Sequence, residues 1–86
     1  MEPILSRIPH EAVASRALAS VGYSKRLHAL EIEFHRGGTY RYFEVPPVVH
    51  TQLLRAESKA RYYNSRIRGK YRAIRVRSPR SVAPAR

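Results

Sequence analysis

Most of the charged side chains that could bind a ligand in this protein are cationic, and most of these cations lie in the last third of the sequence. Residues 55–86 hold 11 of the 17 Lys and Arg residues and one acid, Glu57, for a net charge of +10. Residues 1–54 hold six basic and five acidic side chains, which accounts for the rest of the +11 total. Because a cationic surface on a nearly neutral scaffold attracts polyanions, this distribution predicts a partner such as nucleic acid.

The strongest candidate surface is residues 58–72, which we predict to form a helix and the segment that leaves it. Lys and Arg bind phosphate with an affinity that does not depend on base sequence, and one Arg can hold two phosphate oxygens. Tyr62 lies among these cations, where its ring can stack on a base. The candidate nucleic-acid contacts of this segment are Lys59, Arg61, Tyr62, Arg66, Arg68, Lys70 and Arg72. The alternative is a solvated basic face without a ligand, but one acid among 32 residues leaves the cations almost no partners.

A second candidate is the triplet Tyr40-Arg41-Tyr42. Residues i and i+2 of a strand share a face, so the two tyrosine rings project to the same side of the sheet. If exposed, they form a stacking platform for unpaired bases; if buried, they complete the hydrophobic core. We keep all three residues as candidate nucleic-acid contacts.

The turn before this triplet decides which face the two rings occupy, because a slip of one residue exchanges the faces of a strand. A two-residue turn places Arg41 on the core side. A three-residue turn at residues 36–38 places Tyr40 opposite Phe34. It also sets Arg41 opposite Glu33, a favourable pair of charges, and its last position is a glycine that accepts the left-handed conformation. We therefore predict the three-residue turn, with both rings mainly in the core.

Catalytic constellations are weak in this sequence. The four histidines lack the spacing of metal ligands, and there is neither a cysteine nor a glycine-rich phosphate loop. Glu31 and Glu33 share a strand face like an acid–base pair, but we predict plain, exposed strand surface there. A small ribonuclease that uses His35 with Arg41 or a nearby tyrosine is a minor alternative, because no nucleophile, base and orienting group can be assembled from the spacing. We predict a non-enzymatic protein without metal or cofactor.

The elements that must position these residues are three strands followed by two helices. In the clearest strand, Leu30, Ile32 and Phe34 alternate with polar side chains. The predicted strands are residues 16–22, 27–34 and 39–45, and the predicted helices are residues 47–56 and 58–68. Strands followed by helices indicate an α+β fold, here a three-stranded antiparallel meander with two short helices packed on one face. A short C-terminal strand is expected within residues 70–77.

The helix boundaries rest on residues that are typical of helix ends. Pro47 suits the first turn of the first helix, and Ser58 is a typical N-cap for the second. Gly69 supplies the left-handed position that closes a helix. The side chains that helical periodicity directs toward the sheet are Val49, Leu53, Ala56, Ala60, Tyr63 and Ile67. The cations therefore occupy the remaining side of the second helix.

The chain has the length of one small domain, with 86 residues of which 43% are hydrophobic. We predict a partly ordered leader over residues 1–14, the ordered domain over residues 15–77 and a disordered basic tail over residues 78–86. No apolar run approaches the roughly 20 residues that span a bilayer, and the N-terminus lacks the apolar core of a signal peptide. The sequence predicts a soluble, cytoplasmic protein without a membrane partner.

An ordered set of residues spans most of the chain and matches a known pattern. These residues are Gly22-Tyr23, Phe34, Gly37-Gly38, Tyr40-Arg41-Tyr42, Val45-Pro46, Ser58-Lys59, Tyr62-Tyr63-Asn64, Ile67-Arg68 and Tyr71. The set resembles the KTSC domain, a short module named for the C-terminus of some lysyl-tRNA synthetases that also occurs as a stand-alone protein. The resemblance implies a small α+β domain that has been suggested to bind RNA. Ala60 and Ser24 depart from the pattern, which often has Gly and Asp at these positions.

These observations predict a small non-enzymatic nucleic-acid-binding module that uses a basic helix face. The preference for RNA over DNA comes from the resemblance alone, because the charge pattern does not distinguish the two. The alternative is a protein-interaction module whose basic face docks an acidic partner in a larger assembly.

Overall fold

The computed structural model describes residues 7–76, which form an α+β fold. The elements are β1 His10–Ala12, β2 Leu18–Ser24, β3 Ala29–Phe34, β4 Gly38–Tyr42, α1 Pro47–Arg55, α2 Lys59–Arg66 and β5 Ala73–Val76. The five strands form one antiparallel sheet in which neighbours follow chain order. The predicted tail at residues 78–86 and the first six residues of the predicted leader lie outside the described residues.

The three predicted central strands are confirmed as β2, β3 and β4, and the short C-terminal strand is confirmed as β5. β1 was not predicted: it lies in the segment assigned to the leader and pairs with β2 at the edge of the sheet. A strand of three residues, all exposed or half-buried, is too short to show alternation in the sequence. The meander is therefore extended by one strand on each side.

The three-residue turn between β3 and β4 is confirmed in length but not in position. It occupies residues 35–37, so that Phe34 pairs with Gly38 and Arg41 lies opposite Glu31 instead of Glu33. Gly38 has the left-handed conformation, with φ of 88°, but as the first residue of β4 and not as the last residue of the turn. The correction shifts the register by two residues, and the predicted faces of the strands are unchanged.

The hydrophobic core lies between the sheet and the two helices. Leu30 and Ile32 from β3 meet Leu53 from α1 and Ile67 from the end of α2, and all four are fully buried. Of the other side chains predicted to face the sheet, Val49 and Tyr63 pack against this core and are half-buried. Within residues 7–76, neither helix combines the length and apolar character that crossing a membrane requires.

On the opposite face of the sheet lies a largely buried polar cluster, formed by His10, Ser20, Glu31, Glu33 and Arg41, which we call the far-face cluster. Arg41 Nε donates to Glu31 Oε2, and His10 Nε2 contacts Glu31 Oε1, both at 2.8 Å. Ser20 Oγ donates to Glu33 Oε1 at 2.8 Å and lies 2.7 Å from His10 Nδ1. Glu31 is only 6% exposed, so the prediction of a plain, exposed strand surface is wrong for this residue.

The surroundings of Glu31 favour its charged form. Burial raises the pKa of its carboxyl, but the hydrogen bonds and positive charges of His10 and Arg41 outweigh burial, and the pKa lies below its ordinary value. The far-face cluster is thus a charged network inside a small domain, where removal of one partner is costly.

Gly22 allows the chain that leads into β1 to cross the far face closely. A Cβ at this position would lie 2.4 Å from the carbonyl oxygen of Pro9 and 2.7 Å from His10 Cδ2, closer than real contacts allow. We therefore expect Gly22→Ala to lower the free energy of unfolding by about 1–3 kcal/mol in urea denaturation, because β1 must move off the sheet. Gly37→Ala is the matched control, since its Cβ meets one side-chain atom at an ordinary 3.6 Å. Equal losses in the two variants would contradict this explanation.

Candidate nucleic-acid interface

Helix α2 is fixed at both ends by residues that the sequence predicts for these roles. The Ser58 hydroxyl accepts a hydrogen bond from the backbone N–H of Arg61 at 3.2 Å, which confirms the N-cap. Ile67 is the C-cap and is fully buried, so the helix ends at Arg66, two residues earlier than predicted, and Gly69 has the predicted left-handed conformation, with φ of 74°, just beyond the cap. The chain therefore turns sharply from the helix into the segment that leads to β5.

The predicted phosphate contacts of this region lie on α2 and on its exit. We call them the α2 cations: Lys59, Arg61, Arg66, Arg68, Lys70 and Arg72. All except Lys59 are exposed; Lys59 is half-buried, and its Nζ donates to the carbonyl oxygen of Ala56 at 3.2 Å. Five of the six cations thus stand at the surface within a stretch of 12 residues, from Arg61 to Arg72.

No acid forms an ion pair with the α2 cations in the part of the chain that the structure describes. Ion pairs do join Glu31 to His10 and to Arg41, but these lie on the opposite face of the sheet. Arg68 has a neutral neighbour instead, because its Nη1 donates to Asn64 Oδ1 at 3.5 Å. The positive charge of this surface is therefore uncompensated by close contacts, and its field attracts a polyanion.

Tyr62 is less exposed to solvent than the sequence pattern predicts. Its ring is half-buried against the core, and its hydroxyl donates to Gln52 Oε1 of α1 at 2.8 Å. The Ser65 hydroxyl likewise donates to the carbonyl oxygen of Arg61 at 3.0 Å. Both side chains contribute to the packing and hydrogen bonding of the helices.

An aromatic groove of about 420 Å³ lies where the end of α2 meets the sheet. Its lining comprises four tyrosines, one phenylalanine and one cation, drawn from β3, β4, α2 and the segment that leads into β5. The lining residues are Phe34, Tyr40, Tyr42, Tyr63, Arg68, Gly69, Tyr71 and Ala73. The groove joins the aromatic side chains of the sheet to the cationic end of α2.

The rings of the aromatic groove hold one another in place. The Tyr42 and Tyr63 hydroxyls are hydrogen-bonded at 2.7 Å, and Phe34 meets the Tyr63 ring edge-on with centroids 5.2 Å apart. Burial, followed by the hydrogen bond with Tyr63, raises the pKa of Tyr42 far above its ordinary value, although the nearby charge of Arg68 opposes the rise. The Tyr42 hydroxyl therefore remains neutral and retains its proton.

The triplet Tyr40-Arg41-Tyr42 divides between two environments. Both tyrosine rings face the helices, as the predicted turn length requires; Tyr42 is 4% exposed, and Tyr40 is half-buried at the side of the aromatic groove. Arg41 projects to the far face, where it is 5% exposed and bound to Glu31. Because a buried guanidinium cannot reach phosphate, we do not retain Arg41 as a nucleic-acid contact.

The sequence pattern did not reveal the groove itself. Phe34, Tyr63 and Tyr71 belong to its lining and were not among the predicted contacts. For Tyr71 a signal was present, because it lies between Lys70 and Arg72 in the cationic segment. Aromatic side chains that alternate with cations are typical of surfaces that bind single-stranded nucleic acid.

The far-face cluster has the composition of a catalytic triad but not its accessibility. Ser20, His10 and Glu31 are hydrogen-bonded in series, yet Ser20 is 5% exposed and its hydroxyl hydrogen goes to Glu33. Among residues 7–76, no three side chains of the metal-binding types come together as a candidate metal site. The cluster is therefore best explained as a structural network.

The family model of the KTSC domain matches residues 14–71. The chain belongs to the KTSC domain family. A solved structure of a KTSC domain protein from Yersinia pestis superposes with a TM-score of 0.80 at 33% identity, covering 81% of this chain and 99% of the other. The matched range of this KTSC protein contains Ser58, the N-cap of α2, and every residue that lines the aromatic groove except Ala73.

The KTSC protein also has relatives of two sizes. A protein from Tsukamurella paurometabola is 39% identical over 64 residues, which are 74% of this chain and 96% of the relative. A lysine–tRNA ligase from Nostoc punctiforme is 42% identical over 50 residues, which are 58% of this chain but 9% of the enzyme. The same domain thus occurs in short proteins and as a small part of a much longer enzyme.

Proposed function

We propose that this KTSC protein is a small, non-enzymatic nucleic-acid-binding module that acts in the cytoplasm and prefers RNA to DNA. The observation that carries the proposal is that Arg68 of the α2 cations lines the aromatic groove, while Lys70 and Arg72 line a neighbouring groove that shares Tyr71. The cations would bind phosphate, and the groove would receive aromatic parts of the ligand. Neither feature alone is specific, but polyanion attraction and base stacking together are the two usual sources of affinity for nucleic acid.

The α2 cations are suited to phosphate by their chemistry and by their exposure. Four of the six are arginines, whose planar guanidinium groups bind two phosphate oxygens at once. An acidic protein partner would satisfy the same charges, and this remains the alternative function. The aromatic groove favours nucleic acid, because carboxylate side chains have no aromatic face to place against its rings.

The preference for RNA is taken from the relatives. The lysine–tRNA ligases that contain a matching segment are named as enzymes that act on tRNA, and the segment is 9% of their length. tRNA is therefore the first ligand to test with this chain.

The proposal is tested by a mobility-shift assay with tRNA, a random-sequence RNA and duplex DNA at low salt. We expect binding to all three through phosphate contacts, with the two RNAs bound more tightly than the duplex DNA. Tighter binding of DNA than of RNA would overturn the RNA preference. Failure to bind any of the three would overturn the function and favour the protein-interaction alternative.

A further inference from the structure

We propose that the aromatic groove binds one unpaired nucleobase, so that the preferred ligand is a single-stranded or looped segment and not a continuous duplex. The inference rests on the proposed function, in which the α2 cations hold the phosphates. It adds a site that the charge pattern does not specify. A base inside a duplex is stacked on both sides and paired at its edge, and it cannot enter such a groove.

Tyr71 is the side chain that is best placed to stack on the base. It is half-buried, and it lines the aromatic groove just after the closing glycine of α2. Tyr40 contributes a second half-buried ring, while Tyr42 lies in the floor, fixed by the hydroxyl of Tyr63. The groove volume of about 420 Å³ lies within the roughly 300–1,000 Å³ of small-ligand pockets. The groove therefore offers a rigid floor and accessible rings above it.

The Tyr42–Tyr63 hydroxyl pair supplies a polar group at the floor. Two hydroxyls carry two hydrogens, and the bond between them at 2.7 Å uses one. The second hydrogen can be donated to a carbonyl or ring nitrogen at the edge of a base. Burial raises the pKa of Tyr42 far above its ordinary value, so this hydroxyl keeps its hydrogen.

Cations lie on both sides of the proposed base. Arg68 is part of the aromatic groove, whereas Lys70 and Arg72 line a second groove of about 310 Å³ that shares Tyr71 as a wall. The carboxylate of Glu44 in this second groove is outnumbered by its two cations. A strand that places a base against Tyr71 thus has its flanking phosphates beside positive charge. An acidic peptide would match the charge but would leave the aromatic walls unused.

The test compares two single strands that differ only in their bases. Fluorescence anisotropy is measured with a labelled RNA of about ten nucleotides and with an abasic strand of the same length, which keeps the phosphates. We expect the intact strand to bind about 5- to 100-fold more tightly, since one base gains stacking energy. Equal affinities would overturn the base-binding groove while leaving the proposed function intact. If neither strand binds, the proposed function itself is overturned.

Variants of Tyr71 test whether the difference in affinity between the intact and the abasic strand arises in the aromatic groove. Tyr71→Leu keeps apolar bulk but removes the aromatic face, so it is expected to reduce intact-strand affinity to the abasic level. It should leave binding of the abasic strand and of duplex RNA unchanged, while Tyr71→Phe should retain the intact-strand affinity. Tyr62→Leu is the control, because this tyrosine lies on α2 among the cations but outside the aromatic groove. Equal losses in Tyr71→Leu and Tyr62→Leu, with unchanged melting temperatures, would contradict the assignment.

Discussion

The affinity of this KTSC protein for tRNA is expected to fall several-hundredfold when salt is raised from about 50 to 200 mM. Five α2 cations are exposed, and among the described residues none of them is paired with an acid. If about five phosphates are neutralised, each releases its condensed counterion, and the plot of log affinity against log salt has a slope near −4.5. The effect is large because the affinity has a strong, sequence-independent electrostatic part.

This salt dependence separates phosphate binding from other kinds of association. Burial of apolar surface is not weakened in this way by salt, and a single exposed ion pair changes affinity only slightly. Equilibrium anisotropy with labelled tRNA at several salt concentrations gives the slope directly. A slope near zero would contradict the proposed role of the α2 cations, even if tRNA were bound.

Glu31→Gln is expected to destabilise the protein by about 3–5 kcal/mol, the typical cost of removing one partner of a buried ion pair. Glu31 accepts from Arg41 and contacts His10, both at 2.8 Å, and it is 6% exposed. The amide keeps the shape of the carboxyl but removes the negative charge that faces the Arg41 guanidinium and the His10 ring. For a domain of this size, in which 1 kcal/mol shifts the melting temperature by about 4–8 °C, the melting temperature should fall by about 12–40 °C.

The effect of Glu31→Gln should depend on pH in a defined direction. The folded-state pKa of Glu31 lies below its ordinary value of 4.5, so its contribution to stability is fully present above that value. The contribution is lost as the pH falls through the lower folded-state pKa, and the difference between wild type and variant should shrink there. Thermal melts at neutral and acidic pH test this, with Glu57→Gln as an exposed control. A loss of less than about 0.5 kcal/mol at neutral pH, the range of ordinary surface changes, would contradict the structural role.

Local sequence patterns predict those elements of the fold whose signals lie within a few residues of one another. Alternation of Leu30 and Ile32 with polar side chains predicts β3, and Ser58 predicts the start of α2. Gly69 predicts the end of that helix through its left-handed conformation. Each of these signals acts within one turn or one strand, so the rest of the fold does not alter it.

The features that the patterns missed depend on contacts between distant parts of the chain. Glu31 is buried because Arg41 and His10 close around it, and His10 belongs to the unpredicted edge strand β1. The register between β3 and β4 depended on whether Gly38 ends the turn or begins the strand, which its identity alone does not decide. In both cases the residue type was informative, but the sequence did not indicate which residue would be its neighbour in space.

The candidate interface likewise combines a feature that the sequence predicts with one that depends on contacts between distant parts of the chain. Charge counting identifies the α2 cations, because net charge does not depend on the fold. The aromatic groove draws Phe34 from β3, Tyr63 from α2 and Tyr71 from the segment before β5, so it exists only in the folded chain. Tyr62 illustrates the reverse error, because it lies among cations in sequence but packs against the core. The surface that attracts a ligand was thus predictable, but the site that would select it was not.

The central claim is that the α2 cations bind RNA, and matched double variants test it most directly. Arg66→Ala with Arg68→Ala removes two cations from this surface, and Lys25→Ala with Arg26→Ala removes two exposed cations from the turn between β2 and β3. We predict that the first pair weakens tRNA binding and reduces the magnitude of the salt slope by about two, whereas the second pair leaves both close to wild type. If the two pairs change affinity and slope equally, or if neither changes them, the α2 cations are not the surface that binds RNA.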